Sequence, residues 1–435
     1  METIFALSTA AGRAGVAVVR MSGPKAFETA QTVAHLTTLT PRQAHVVTLY
    51  DQDEPIDQAV LLAFAAPASF TGEDVVEFQC HGSRAVLTKL LNVLAHFPDC
   101  RLAEPGEFTR RAVANDKMDL TAAEGVLDLI HSDTEAQRRQ ALRQMGGALA
   151  QLYDGWRDAL LHQLAFIEAF IDFPEEEIPE TRLAEVQESI YNVITSLEAH
   201  LADNHRGERV RDGFRIAIVG APNVGKSSLL NRLARREAAI VSSTAGTTRD
   251  VVEVYLDIAG YPVILADTAG LRETTEAVEA EGIRRALKRI EDADLVLALG
   301  DAAAYPTLDA STQAAVANHP QALIVWNKAD LTAAKGEGLF VSAVTGAGLS
   351  DLESALEQAV VSQMGASAEP ALTQLRHRTA LEACVSHLKQ ALTQPEIDLK
   401  AEDIRLAARE LGKITGRVEI SEILDVIFSS FCIGK

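Results

Sequence analysis

Cysteine is scarce: the 435 residues hold four, Cys80, Cys100, Cys384 and Cys432, with no CxxC spacing among them. They are too few and too dispersed for a disulfide scaffold or a thiolate metal site, and they suit a reducing compartment. Long apolar runs are missing too. No stretch approaches the roughly 18–20 residues a membrane span needs, so no membrane association is expected. The opening METIFALSTAAGRAG lacks the basic start of an export signal and carries Glu2 instead, so a cytoplasmic protein is expected. Positive charge is in short supply throughout: 61 acidic against 40 basic side chains leave a formal charge of −21. This excludes a broad basic surface for nucleic acid, and any polyanion must be met locally. There are no internal repeats or low-complexity tracts.

What is present describes an ordinary globular protein, 47% hydrophobic and 23% charged, long enough for roughly three domains. Charge divides unevenly: −4 over 1–116, −10 over 117–212, −6 over 213–365 and −1 over 366–435. Residues 1–116 alternate β-like runs (Val16 to Arg20, Val46 to Tyr50, Ala59 to Phe64, Val75 to Cys80) with helical stretches (Lys25 to Leu36, Ser83 to Ala95), which predicts a small α+β domain. From Thr121 to about Phe173 the periodicity is that of a continuous helix ended by Pro174. An acidic loop, PEEEIPE, leads to a second helical run from Arg182 to about Asn204. HRGERVRDG then reads as a linker. From Phe214 to about Ala359 strands and helices alternate as in a parallel α/β domain. Thr373 to Phe431 is helical again. The α/β unit (213–365) is therefore expected to be inserted into one helical domain, formed by 117–212 and 366–435.

FRIAIVGAPNVGKSSLLN places Gly220-x-x-x-x-Gly225-Lys226-Ser227 between a strand and a helix start, the setting a phosphate loop requires. The glycines let backbone N–H groups, including those of Asn223, Val224 and Ser228, close around phosphates. Lys226 reaches the β/γ oxygens and the Ser227 hydroxyl is placed for Mg²⁺. Forty residues on, a strand ends in Asp267-Thr268-Ala269-Gly270, where a carboxylate can take an Mg²⁺ water and a glycine N–H can meet a γ-phosphate. Between them SSTAGTTRD, with Ser242, Ser243, Thr244, Ala245, Gly246, Thr247 and Thr248, is a candidate switch loop in which either Thr247 or Thr248 could cover the metal. The next strand ends in Asn327-Lys328-Ala329-Asp330. A carboxylate at Asp330 accepts both N1–H and the 2-amino group of guanine, a donor pair adenine lacks, so GTP is the expected ligand. Ser342 and Ala343 would complete the base pocket through backbone contacts.

The hydrolytic group is less sharply marked. The glutamine that orients water in Ras-type enzymes is replaced by Leu271, and the following stretch offers four acids, Glu273, Glu276, Glu279 and Glu281, otherwise a solvated helix face. No arginine finger stands out. Asn223 is either a turn residue of the loop or a neutral oxygen donor able to hold a monovalent cation.

The flanks carry a closer likeness. VVRMSGP, SFTGEDVVEFQCHG, LAEPGEFTRRAVANDKMDLTAAEGVLDLI, the GAPNVGKSSLLN, AGTTRD and DTAGLR runs, and the terminal CIGK together resemble the MnmE (TrmE) family of tRNA modification GTPases along essentially the full length. The resemblance implies a homodimer with a folate-binding α+β amino-terminal domain, a split helical domain and an inserted P-loop G domain. It further implies joint action with an FAD-binding flavoprotein (MnmG, also called GidA), in a heterotetramer or larger complex, to modify C5 of the wobble uridine of certain tRNAs to the carboxymethylaminomethyl form. Position by position, it makes Asn223, with Ser242, Thr244 and Thr247, ligands of a K⁺ that replaces the arginine finger. Thr248 joins Ser227 on Mg²⁺, and Glu279 orients the attacking water through a second water. Arg20, Glu77, Lys117 and the carboxyl-terminal Lys435 would contact a reduced folate, 5,10-methylene- or 5-formyl-tetrahydrofolate. Cys432 is either a nucleophile for modification or a small packed residue near that site; Gly434 and Lys435 do not fit a prenylation signal. One departure stands out: an HGG pattern is expected where this chain has His81-Gly82-Ser83, which adds a side chain beside the folate domain's loop.

A ribosome-assembly GTPase, using GTP to time docking on rRNA, is the alternative from another class. Such a factor would be expected to bring a basic RNA-binding flank, and 366–435 is close to neutral. A nucleotide-binding scaffold without turnover is a third reading, separated by whether potassium stimulates hydrolysis.

Overall fold

The computed structural model describes residues 2–172, 180–236, 253–267, 287–333, 336–365, 370–418, 424 and 427–434. Two compact units result, one of Met1–Leu127, Gln144–Phe166 and Ile404–Lys435, the other of Asp128–Arg143 and Ile167–Asp403. No helix among the described residues is long and apolar enough to cross a membrane.

The first unit contains a six-stranded sheet: β1 (Thr3–Leu7), β2 (Ala14–Ser22), β3 (Ala44–Asp51), β4 (Glu54–Phe64), β5 (Val75–Gly82) and β6 (Cys100–Leu102), in the order β3-β4-β5-β2-β1-β6. Neighbours are antiparallel except β1 and β6. Alternation assigns the faces. Phe5, Val19, Met21, Leu61 and Phe78 point one way, onto the apolar sides of α1 (Ala26–Val33) and α2 (Arg84–Ala95), where Ala30, Val33, Leu87, Leu90 and Leu94 complete a buried core. The register Ala6↔Arg20↔Glu77↔Leu62 forms a row on the opposite face. Sequence periodicity found β2 to β5 but not β1, because TIFAL is buried through Ala6 and so lacks a polar alternate. Ser83 acts locally, as the N-cap of α2: its Oγ accepts the Val86 N–H at 3.2 Å, which accounts for the side chain at that position.

The predicted continuous helix from Thr121 to Phe173 is three helices, α4 (Leu120–Ile130), α5 (Glu135–Met145) and α6 (Ala148–Asp172), after the short α3 (Glu107–Ala114). Two local signals break the run. Thr134 and Gln137 form a capping box, with Gln137 Oε1 accepting the Thr134 N–H at 3.1 Å and Thr134 Oγ1 accepting the Gln137 N–H at 3.5 Å. Gly147, at φ +81, separates α5 from α6. Within the first unit, Asp154 of α6 accepts from Thr415 Oγ1 at 3.2 Å and from Arg417 at 3.1 Å.

The second unit carries a sheet of β7 (Phe214–Gly220), β8 (Glu253–Ile258), β9 (Tyr261–Asp267), β10 (Leu295–Asp301), β11 (Ala322–Asn327) and β12 (Leu339–Phe340), in the order β12-β11-β10-β7-β9-β8. All pairs are parallel except β8 with β9. β7, buried at Ile216 and Ile218, packs with Leu229, Leu230 and Leu233 of α9 (Lys226–Arg236) and with Leu352, Leu356 and Val360 of a later helix in one core. The remaining helices are α7 (Glu180–Leu201), α8 (Arg206–Asp212), α10 (Ala310–Asn318), α11 (Leu349–Met364), α12 (Leu375–Thr393) and α13 (Ile397–Thr415).

The stretch expected as a linker is the helix α8, and side chains grip it from several sides. Arg209 pairs with Asp294 at 2.6 Å, and Arg211 pairs with Asp128 at 3.2 Å while donating to the Thr373 carbonyl. Gln140 donates to the Gly207 carbonyl at 2.8 Å, and a Cβ on Gly207 would collide with the Leu372 carbonyl. Arg378 of α12, 9% exposed, reaches Glu208 at 3.1 Å, Asp203 at 2.8 Å and the Leu201 carbonyl at 2.9 Å. High polarity hid α8 from a periodicity reading; its order comes from distant partners. Removing the guanidinium takes the arginine from Asp203 and Glu208 and leaves them the bonds from the His205 N–H and ring, so Arg378→Ala should lower unfolding stability by about 3 kcal/mol. An unchanged denaturant midpoint would contradict this account of the grip.

Candidate functional site

The end of β7 is where the order of the parallel strands reverses, with β9 on one side and β10 on the other. This leaves a crevice at the carboxyl edge of the sheet. The loop Gly220 to Ser227 lies there and runs into α9, whose first residue is Lys226. Asn223 is exposed at φ +61, and Gly225 at φ +101 lies so close to the Asn327 side-chain amide that any Cβ would clash. Lys226, 7% exposed, donates to the carbonyls of Gly220 at 2.7 Å and Ala221 at 3.0 Å. Desolvation pushes its pKa below the usual lysine value, against the pull of Asp267 and Asp309. An anion entering the loop would restore the lost solvation. Val224 is buried, whereas Ser227 and Ser228 stand exposed on the first turn of α9.

Ser227 Oγ donates to Asp267 Oδ2 at 2.8 Å. A hydroxyl and a carboxylate, both hard oxygen donors brought together beside the loop, fit Mg²⁺ with its retained waters. Ser242, Ser243, Thr244, Ala245, Gly246, Thr247, Thr248, Thr268, Ala269, Gly270 and Glu279, with Leu271, Glu273, Glu276 and Glu281, lie outside the described residues.

At the other end of the crevice Asn327, 2% exposed, ties two loops together. Its Nδ2 donates to the Val224 carbonyl at 2.9 Å and its Oδ1 accepts the Ala343 N–H at 3.1 Å. The Ala343 amide is therefore committed to Asn327, while Ser342, fully buried, receives the Thr345 N–H on its Oγ. Lys328 adopts the left-handed conformation at φ +64 and bonds Asp301 at 2.8 Å; Asp330 follows, exposed, in a short 3₁₀ turn. Asp301 was not singled out from sequence, although an acid ending an apolar strand at this edge was the available signal.

The amino-terminal sheet brings Arg20 and Glu77 into contact, with Arg20 Nη2 and Nε at 2.9 and 3.1 Å from one carboxylate oxygen. The guanidinium lies 5.3 Å from the Phe70 ring centroid and 5.9 Å from that of Phe108, aromatic neighbours that the sequence reading missed. Charge, a carboxylate acceptor and two rings fit an aromatic heterocycle with an acidic tail. Lys117 donates to the Pro67 carbonyl at 2.9 Å, on the loop that carries Phe70. The carboxyl-terminal tail reaches this unit: Ile433 bridges Pro105, and Ser8 Oγ donates to the Gly434 carbonyl at 2.9 Å. Cys432 is exposed and free, and Lys435 lies outside the described residues. Helix α3, which supplies Phe108, is anchored by Glu107, which Arg101 binds through both nitrogens at 2.7 and 2.8 Å and Arg111 at 2.9 Å.

Burial alone would raise the Glu107 pKa, but the bonds from Arg101, the Glu104 N–H and Arg111 outweigh it and bring it to about 2, from an ordinary 4.5. The folded state therefore prefers the carboxylate. Its contribution is complete above pH 4.5 and is lost as pH falls through 2; Glu107→Gln should flatten the acid limb of the stability profile, and an unaltered limb would refute the assignment. Asn327→Ala leaves the Val224 carbonyl and Ala343 amide without their partner. It should cost about 1–3 kcal/mol and weaken nucleotide binding in the same variant; intact stability by denaturant titration would count against the tie.

Residues 3–117 match the family described as GTP-binding protein TrmE N-terminus, and residues 120–432 match the MnmE helical domain. The tRNA modification GTPase MnmE of Parvibaculum lavamentivorans is 52% identical over 442 residues, covering 100% of both chains. Those of Rhodospirillum rubrum and Rickettsia canadensis are 50% and 44% identical, again over 100% of both chains. Among solved structures, Era in complex with MgGDPNP and a segment of 16S ribosomal RNA is 25% identical, covering 42% of this chain and 68% of that one with a TM-score of 0.27. The FeoB G-domain of Methanococcus jannaschii is 24% identical, covering 34% and 97%, at a TM-score of 0.26. Identity near one half across the full length decides the matter: the chain belongs to the MnmE family of tRNA modification GTPases.

Proposed function

We propose that this protein hydrolyses GTP in a potassium-dependent cycle and, with an FAD-binding flavoprotein of the MnmG type, modifies C5 of the wobble uridine of certain tRNAs to the carboxymethylaminomethyl form. It does so as a cytoplasmic homodimer, drawing the one-carbon unit from a reduced folate. The observation that carries the GTPase reading is the alignment, along one sheet edge, of Lys226, the Ser227–Asp267 pair and the Asn327-to-Asp330 turn.

Within that reading Lys226 exchanges two loop carbonyls for phosphate oxygens, and Asp330 accepts the two guanine donors. Ser227 and Thr248 would hold Mg²⁺, with Asp267 taking one of its waters, and the ion when bound would offset the charge on the phosphates. Asn223, free of a helix and exposed at the loop's apex, offers its side-chain oxygen to K⁺ together with Ser242, Thr244 and Thr247. Glu279 orients the water. Residues 1–116 form the folate-binding domain through Arg20, Glu77, Lys117 and Lys435, with Cys432 at its edge as a candidate nucleophile. Residues 213–365 form the G domain inserted between the helical parts 117–212 and 366–435, a reading supported by Asp203 and Glu208 before it binding Arg378 after it. With a net charge of −21, tRNA is met through a few local cations or largely through the flavoprotein.

GTP turnover is expected to be faster in KCl than in NaCl, and cells lacking the protein should lose the carboxymethylaminomethyl group from wobble uridines by mass analysis. Equal rates in the two salts would remove the potassium role. Unchanged uridines would remove the modification role and favour the ribosome-assembly alternative.

A further inference from the structure

The Asp330 turn is held by a residue outside every recognised nucleotide motif. Asp301 ends β10, the strand lying between β7, which leads to the phosphate loop, and β11, which leads to Asp330. A nucleoside joining those two loops must pass over the end of β10. Asp301 stands directly opposite Asn327 in the β10–β11 register. Its two oxygens have separate partners. Oδ1 accepts the Ala303 N–H at 3.0 Å and caps the turn Ala302–Ala304, while Oδ2 binds Lys328 Nζ at 2.8 Å. Lys328 holds a left-handed backbone, a conformation unfavourable for a residue with a Cβ, and its carbonyl accepts the Leu331 N–H at 2.9 Å to close the turn containing Asp330. Both charged groups are about one-third exposed, with side-chain accessibilities of 33% and 35%. An ion pair so placed adds little to fold stability, so a role confined to stability is a poor account of it.

We propose that Asp301 is a positioning residue of the base site: through Lys328 it draws the lysine stem across the end of β10 as a wall beneath the nucleoside, and so sets the turn that presents Asp330. This rests on the guanine-nucleotide reading above. The lysine stem is apolar and flexible, with much rotamer freedom to lose, and a carboxylate at its tip removes that freedom before the nucleotide arrives. Asp301 touches no nucleotide atom in this scheme. The cost of losing it appears as a looser base wall, hence as faster escape of bound nucleotide rather than slower entry.

The test is stopped-flow release of fluorescent GDP from the full-length protein. Asp301→Asn is the informative substitution, because its side-chain oxygen can still cap Ala303 while the charge that holds Lys328 is gone. GDP release should accelerate roughly tenfold with association unchanged, Lys328→Ala should do the same, and the double variant should be no faster than either single one. Asp301→Glu should restore part of the slow release. Release unchanged in Asp301→Asn, or effects of the two substitutions that multiply in the double variant, would overturn the proposal while leaving the nucleotide assignment intact. Wild-type protein that fails to bind GDP would overturn both.

Discussion

A buried amide that must satisfy both its donor and its acceptor organises the nucleotide crevice. Asn327 spends its Nδ2 on the phosphate loop at Val224 and its Oδ1 on the loop after β12 at Ala343. Neither loop has a regular partner for that group, and leaving either unpaired inside the protein would cost more than an ordinary hydrogen bond contributes. The phosphate loop, the base turn and the Ser342–Ala343 loop are thereby held in one arrangement. Gly225 is required for the same reason, since its missing Cβ is the space into which the amide fits.

A comparable economy governs α8. Seven residues, five of them charged and only Val210 a buried apolar side chain, would not hold a helix alone. They do so here because Arg209 is paired with Asp294 at the foot of β10 and Arg211 with Asp128, while Glu208 is paired with Arg378. A segment that enters the α/β part is thus bonded to the segment that leaves it.

In the amino-terminal unit the alternating register does the corresponding work. The same strands that send Phe5, Val19 and Phe78 into the core under α1 and α2 must send Ala6, Arg20 and Glu77 the other way. Arg20 is then enclosed by Phe70 and Phe108, and the helix carrying Phe108 is fastened by Arg101 and Arg111 through Glu107. The tail at Ile433 and Gly434 closes on the end of β1, with Gly434 at φ +106 where a side chain would strike Leu7.

Local spacing was enough to single out the Gly220-to-Ser227 loop, the Asp267 strand end and the Asn327-to-Asp330 turn, which the sheet brings to one edge, because the residues that such chemistry calls for stand within a few positions of one another. It was also enough for strands β2 to β5, whose half-buried faces impose a period of two. It failed at TIFAL, buried through Ala6; at the breaks between α4, α5 and α6, decided by a capping box and one left-handed glycine; and at α8. Phe70 and Phe108 were likewise invisible, since each owes its place to a neighbour brought beside it by the fold; Asp301 was marked only as an acid ending an apolar strand, and its partner Lys328 came from the fold. Composition and short motifs therefore determined which chemistry the chain can carry. Tertiary structure decided which side chains hold that chemistry in position, because pairing between residues scores to hundreds of positions apart leaves no mark in any short window of sequence.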